Sequence, residues 1–578
     1  MLSEDVLNGT EGMSSRRFNI ENILLISTAA LVAYLVVLPL FMLLWNSLKT
    51  TPPGVPGPLT FHNYIEAYLD PTLYPLMLNS FIYAGGSTLI ALLFAFTIAW
   101  LVERTNVPFR NLAYTMAIVA TIIPGMVASI AWVMLLGPRI GLINLFFMKL
   151  FGLGEGPFNI YSMWGMLFVG GLRHVPVLFL FLASAFRAMD PSLEESSASC
   201  GAGKILTLFR ITFPLMLPAI VAALLYSFVN SIDAFEIPAI IGIPAGIHVF
   251  ATKIYLAMHQ SPPDHGLASA LGSTVLAICV GGTILYQRVI VRSERYVTVT
   301  GKAYRARLID LGGWKYLGVA FMFIFLLLDF ILPLLTLFWA SLVPFYQVPS
   351  MRALRTISLV AYIDAIRYPG VLNAIENSLL LSVMGGIVTL FIAAIVSWIV
   401  VRSNVTGRRV LDFLAFSPIA IPGIVLSLAL MFFYLMVPLP IYGTIWILLI
   451  AFVTKYLPWA TRSTNTAILQ IHKELEEASM VSGASWWQTF VRVLVPLIIP
   501  AFVAGFLYIF SHIIKEISTA ILLYSPKSNL LSIIIWELWE AGTIAELGAV
   551  SVMLAIFLGV VTFIGRKQVE RFTASQRV

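Results

Sequence analysis

Charge is what this 578-residue sequence has least of: Asp, Glu, Lys and Arg make up 11% of it, against about 25% in a soluble domain. Too few charged groups remain to clothe a large water-exposed surface, so a sizeable soluble catalytic domain is excluded. Cysteine is nearly absent, with Cys200 in a polar stretch and Cys279 inside an apolar run, contexts that argue against a disulfide. The seven histidines show no pair at metal-ligand spacing, and no metal site is expected. The phosphate-binding pattern G-x-x-x-x-G-K followed by Ser or Thr is missing too, since Gly203-Lys204 runs into Ile205 and Gly301-Lys302 into Ala303. No cofactor is expected on this chain, and any ATP must be bound by another subunit. What the sequence has instead is apolar surface: 59% hydrophobic residues and a mean hydropathy of +0.93. At about 20 apolar residues per span, this reads as an all-α polytopic membrane protein of about 12 transmembrane helices. In such a chain a net charge of +7 reports orientation and not nucleic-acid binding.

The apolar stretches fall near 23–45, 77–102, 112–136, 163–186, 214–234, 267–290, 314–340, 376–401, 410–436, 443–468, 495–515 and 547–565. The first follows Arg16 and Arg17 and is too long for the core of a cleaved signal peptide, so it reads as an uncleaved span with a cytoplasmic N-terminus. With that orientation the 35 Lys and Arg residues favour the cytoplasmic side by roughly three to one. The largest contribution comes from the segment joining spans six and seven. The chain therefore divides into an N-terminal tail (1–22), a first repeat (23–290), a basic linker (291–313), a second repeat (314–566) and a C-terminal tail (567–578), with both tails cytoplasmic.

The two halves are copies. At an offset of 282, Glu194, Glu195, Gly201, Ala202, Arg210, Pro214 and Pro218 meet Glu476, Glu477, Gly483, Ala484, Arg492, Pro496 and Pro500. At an offset of 298, Asn79, Trp100, Arg104, Asn106, Arg110, Pro124 and Gly125 meet Asn377, Trp398, Arg402, Asn404, Arg408, Pro422 and Gly423. The first half thus holds about 16 extra residues between spans three and four. Six spans separate equivalent positions, an even number, so the two six-helix repeats are parallel.

Each repeat places its most polar segment between its fourth and fifth spans. A Glu pair (Glu194-Glu195, Glu476-Glu477), small residues (Ser196, Ser197; Ala478, Ser479), a glycine (Gly201, Gly483) with an alanine after it (Ala202, Ala484), then an apolar stretch with two prolines, predicts a short helix, a glycine break and a return into the membrane. The pattern resembles the E-A-A-x-x-x-G signature of the transmembrane subunits of binding-protein-dependent ABC importers, with serine at three of the four small positions. That resemblance implies the type I importer permease fold in a bacterial inner membrane. It also implies that these twelve residues couple to a cytoplasmic ATPase. Two such segments imply two copies of an ABC ATPase carrying ATP and Mg, and a solute-binding protein on the other face. The stretches FNIYSMWGM, RAMDPSLEESS, DAFEIPAIIGIPAGIHVFATKIY and RYVTVTGKAYRARLIDLGGW further resemble the fused permeases of ferric iron importers, with thiamine and phosphonate permeases as alternatives. An ion-coupled secondary transporter is the alternative from another class. It would leave the twin polar segments unexplained.

Ionisable residues within spans are costly, and each is a pathway candidate. Arg173 and Lys455 match at the offset of 282, each three residues before a proline. Asp233 and Glu236 end span five, and Lys515 and Glu516 end span eleven. These residues either line the gate or pair with one another. Asp329, in span seven, has no counterpart in span one.

Overall fold

The computed structural model describes residues 4–190, 192–293 and 308–575. The central part of the basic linker lies outside the described residues. Among those described there is no β-strand, only isolated bridges. Among the described residues nine helices are long and apolar enough to cross a membrane, or up to twelve if each of three bent pairs is one span; the expected tenth span is the helix Ile445–Leu469, outside those nine. Nearly every expected span is a helix, but the third and the ninth are not straight. Arg110–Ala120 meets Gly125–Leu136 at 97°, and Arg408–Ala420 meets Gly423–Met436 at 111°. Both breaks end on the matched Pro124-Gly125 and Pro422-Gly423, where proline fixes the backbone outside the helical region at the N-cap of the second arm. The third bent pair, Pro238–Ala245 with Phe250–His259 at 76°, falls where the sequence predicts only a connection. Its arms are too short for a span, and Gly246 at φ +69° turns the chain between them.

Proline also widens helices without breaking them. Four π-turns occur among the described residues, Leu208–Thr212, Pro238–Gly242, Leu327–Ile331 and Phe490–Leu494, and each ends two residues before a proline: Pro214, Pro244, Pro333 and Pro496. A proline cannot donate to the carbonyl four residues back and its ring collides with it. The residue before it bonds five back instead, as Phe213 does to Leu208 and Val495 to Phe490.

The described structure forms two compact units that cut across the sequence repeats. One comprises the N-terminus to His62, Pro369–Ile534 and the chain from Phe557; the other Asn63–Tyr368 and Ile535–Ile556. In the first unit, span one packs on the broken ninth span. The Tyr34 and Tyr434 hydroxyls lie 2.8 Å apart, and the Tyr34 ring meets Phe433 edge-on at 5.7 Å. In the second, span seven (Gly312–Leu342) packs on spans two and three, with Phe94 stacked on Phe321 at 5.3 Å and the Tyr346 hydroxyl donating to the Met134 carbonyl. Each unit is therefore built from the leading span of one repeat and the later spans of the other.

Candidate functional site

The two polar segments fold as the sequence predicts, into short helices closed by glycine. The first elbow helix is Ser192–Ser199 and the second is Glu474–Val481. Gly201 and Gly483 sit at φ +83° and +85°, the left-handed position that ends a helix without the cost of a Cβ. Behind them the Ala202 N–H donates to the Ser197 carbonyl at 3.1 Å, and the Ala484 N–H to Ser479 at 3.2 Å.

Each elbow is pinned by one arginine. At the end of span two (Leu73–Arg104), Arg104 Nε lies 3.2 Å from Glu194 Oε2. Its Nη2 donates to the Phe186 and Met189 carbonyls, at 2.9 and 3.0 Å, where span four (Met163–Ala188) ends. At the end of span eight (Val371–Arg402), Arg402 Nε lies 2.7 Å from Glu476 Oε1. Its Nη2 donates to the Ile468 and Ile471 carbonyls at 2.9 and 2.6 Å. Both arginines and both first glutamates are shielded from solvent. The Ser197 and Thr207 hydroxyls meet at 2.9 Å, and those of Ser479 and Thr489 at 3.0 Å. The Thr212 hydroxyl donates to Glu194 Oε1 at 2.5 Å in the first elbow alone among described hydrogen bonds.

The twelve predicted residues thus divide by role. Glu194, Ser197, Glu476 and Ser479 face inward and hold the elbow to its own spans. Ala202 and Ala484, half-buried, close the helices through their N–H groups. Ser196, Gly201, Glu477, Ala478 and Gly483 are exposed, and Glu195 is half-buried. They share the outer surface with apolar Leu193, Leu475 and Val481, the last 89% exposed. In the sequence Arg104 and Arg402 stand out only as repeat matches. A basic residue recurring at the end of equivalent spans was the available signal.

The charges within spans are brought together at the two broken helices. Arg173 donates to the Ala120 and Ile123 carbonyls, both at 2.7 Å, satisfying groups that the break before Pro124 leaves without helical partners. Its Nη1 also lies 3.3 Å from Asp329 Oδ1, with the aspartate almost wholly enclosed. Asp329, unmatched in sequence, is the counter-ion of Arg173, and it sits on the π-turn of span seven. Lys455 meets its counter-ion within the second repeat. Its Nζ lies 3.0 Å from Glu516 Oε1 and donates to the Thr519 hydroxyl at 3.0 Å, while the Tyr456 hydroxyl donates to Glu516 Oε2 at 3.0 Å. The matched glycines give these groups room. A methyl on Gly125 would come within 2.1 Å of Glu236 Oε2, and one on Gly423 within 2.7 Å of Lys455 Nζ. Asp233 follows the helix Phe213–Ile232 as its half-buried C-cap.

The family described as binding-protein-dependent transport system inner membrane component matches residues 71–295 and again 385–574, one match over each elbow and its spans. The chain belongs to this family. It is a multi-pass inner-membrane transport subunit of the ABC importer class, built as a fused duplication. Among curated relatives, the putative ferric transport system permease FbpB 1 of Haemophilus influenzae is 26% identical over 79% of this chain and 71% of its own. The ferric transport system permease FbpB of Actinobacillus pleuropneumoniae is 25% identical over 84% of this chain and 70% of its own. The Fe(3+)-transport system permease FbpB 2 of Haemophilus influenzae is 23% identical, covering 87% and 92%.

Proposed function

We propose that this permease moves ferric iron, handed over by a solute-binding protein on the outer face, and is driven by two copies of a separate ATPase seated under its two elbows. The observation that carries the ATPase reading is the duplicated elbow. Each is an exposed surface of small, apolar and acidic residues, mounted through a buried Arg–Glu pair on the ends of two spans. A docked ATPase that displaces such an elbow displaces those spans with it, because the arginine bonds to both. Alternating access then follows as rigid-body movement of packed helices when the ATPase pair closes and opens. On this reading the elbows and both termini are cytoplasmic, and ATP and Mg stay on the partner. We read Arg173, Lys455, Asp233, Glu236 and Glu516 as pathway residues, and rearrangement of the ion pairs beside the broken helices would accompany gating. The iron assignment is supported by the three relatives named for ferric transport.

The test is reconstitution of the full chain in proteoliposomes with its ATPase and binding protein. ATP-dependent uptake of labelled ferric iron, absent with thiamine or a phosphonate and lost in Gly201→Trp and Gly483→Trp variants that still insert, is the expected result. Uptake without any ATPase would overturn the importer mechanism. Uptake of another solute, with iron ignored, would overturn the iron assignment alone.

A further inference from the structure

The extra residues of the first half fold round a single side chain. Asn144 is fully buried. Its Nδ2 lies 3.0, 2.9 and 2.8 Å from the Leu136, Gly137 and Phe158 carbonyls, and its Oδ1 accepts from the Phe158 N–H at 3.0 Å. Gly156 makes the space, since a Cβ there would come within 2.7 Å of Asn144 Cγ. Both ends of the insert are thereby tied to the end of the helix Gly125–Leu136. The ten-residue helix between them, Leu142–Phe151, is held against the end of that helix.

That helix is apolar nearly all round, with Lys149 as its one charged residue. Phe146, Leu150 and Phe151 are each about 60% exposed and belong to an aromatic cluster in which Phe147 stacks on Phe151 at 5.7 Å and meets Phe158 edge-on at 5.6 Å. Trp164, in the first turn of span four, is exposed beside the insert in sequence. The N-terminal half of the helix completes an apolar groove of about 340 Å³, in which Leu142, Ile143 and Phe146 face Leu332, Leu335 and Trp339 of span seven. The apolar surface thus extends from the helix to span seven, where Leu335 and Phe338 are also exposed. Leaving three such side chains in water would forgo the gain of burying apolar surface. Aromatic residues with a lone lysine on a short helix suit the headgroup boundary of a bilayer.

We propose that Leu142–Phe151 is an interfacial helix, lying in the outer headgroup layer and holding a phospholipid acyl chain in the groove against span seven. The assignment to the outer leaflet rests on the elbows facing the ATPase. Span four, 26 residues or about 39 Å long, runs from the insert to the first elbow and puts the two at opposite ends.

The experiment uses the full chain with Cys200→Ser, a fluorophore at Phe151→Cys or Phe146→Cys, and vesicles of phosphatidylethanolamine and phosphatidylglycerol. Lipid spin-labelled near the headgroup is expected to quench either position several-fold more than lipid labelled deep in the chain, and aqueous iodide to quench little. Iodide quenching at both positions with no lipid quenching at either would overturn the proposal and leave the elbows and the permease reading standing. Leu335→Trp, which fills the groove, is expected to lower the copurifying phospholipid by one molecule per chain in native mass spectrometry. An unchanged count would overturn the acyl-chain site.

Discussion

Arg104 and Arg402 each serve three masters: a glutamate of the elbow and two carbonyls that end the neighbouring span. Removing the arginine leaves a shielded carboxylate without its counter-charge, which typically costs about 3–5 kcal/mol. Arg104→Ala and Arg402→Ala are expected to lower the unfolding temperature of the purified protein clearly. Arg→Lys variants, which keep the charge and lose the bidentate reach to the carbonyls, should retain more stability and still transport less per ATP hydrolysed. Unchanged melting in both alanine variants would remove the pin. The elbow glycines make a separate point, because a Cβ at Gly201 or Gly483 meets nothing within 4 Å. The cost of Gly201→Ala is therefore backbone strain alone, about 1–2 kcal/mol, and Gly201→Asn should be milder because asparagine tolerates that conformation. Transport by the three forms should rank Gly, Asn, Ala. At this scale the repeat made the elbow residues legible, while the division of each Glu pair into an anchoring and an outward member was not, since both glutamates look alike in one dimension.

At the scale of the element, charges from neighbouring spans gather at the broken third and ninth spans. Their apolar runs are continuous in sequence, and hydropathy alone reads each as one straight helix. The Pro-Gly pair was visible, but a proline inside a span has two outcomes here. It breaks the chain at Pro124 and Pro422, and it merely widens the helix into a π-turn before Pro214, Pro333 and Pro496. Side chains that satisfy the exposed backbone accompany the difference, and at the first break that side chain is Arg173. Gly125→Ala is expected to destabilise the protein by forcing Glu236 aside, and Glu236→Ala to relieve that cost. The double variant should show a coupling of about 0.5–3 kcal/mol in thermal or denaturant unfolding. Strict additivity would mean that the two do not meet.

For the whole molecule, the compact units do not follow the duplication. Span one belongs with residues after Pro369, and span seven with residues before it. A chain cut within the linker and expressed as 1–293 and 308–578 should yield halves that copurify when made together. Each half made alone should be short-lived, since its leading span then lacks the helices it packs on. Stable, monodisperse halves made separately would contradict that packing.

Composition and periodicity by themselves determined that this chain is all-α, membrane-spanning, duplicated in parallel and equipped with two elbows, because each of these is a local property repeated along the sequence. Only the tertiary structure decided which charge neutralises which, where a proline breaks a helix, and which leading span each unit takes. Those outcomes depend on contacts between residues hundreds of positions apart, such as Tyr34 with Tyr434 or Arg173 with Asp329. No pattern within a single helix encodes them.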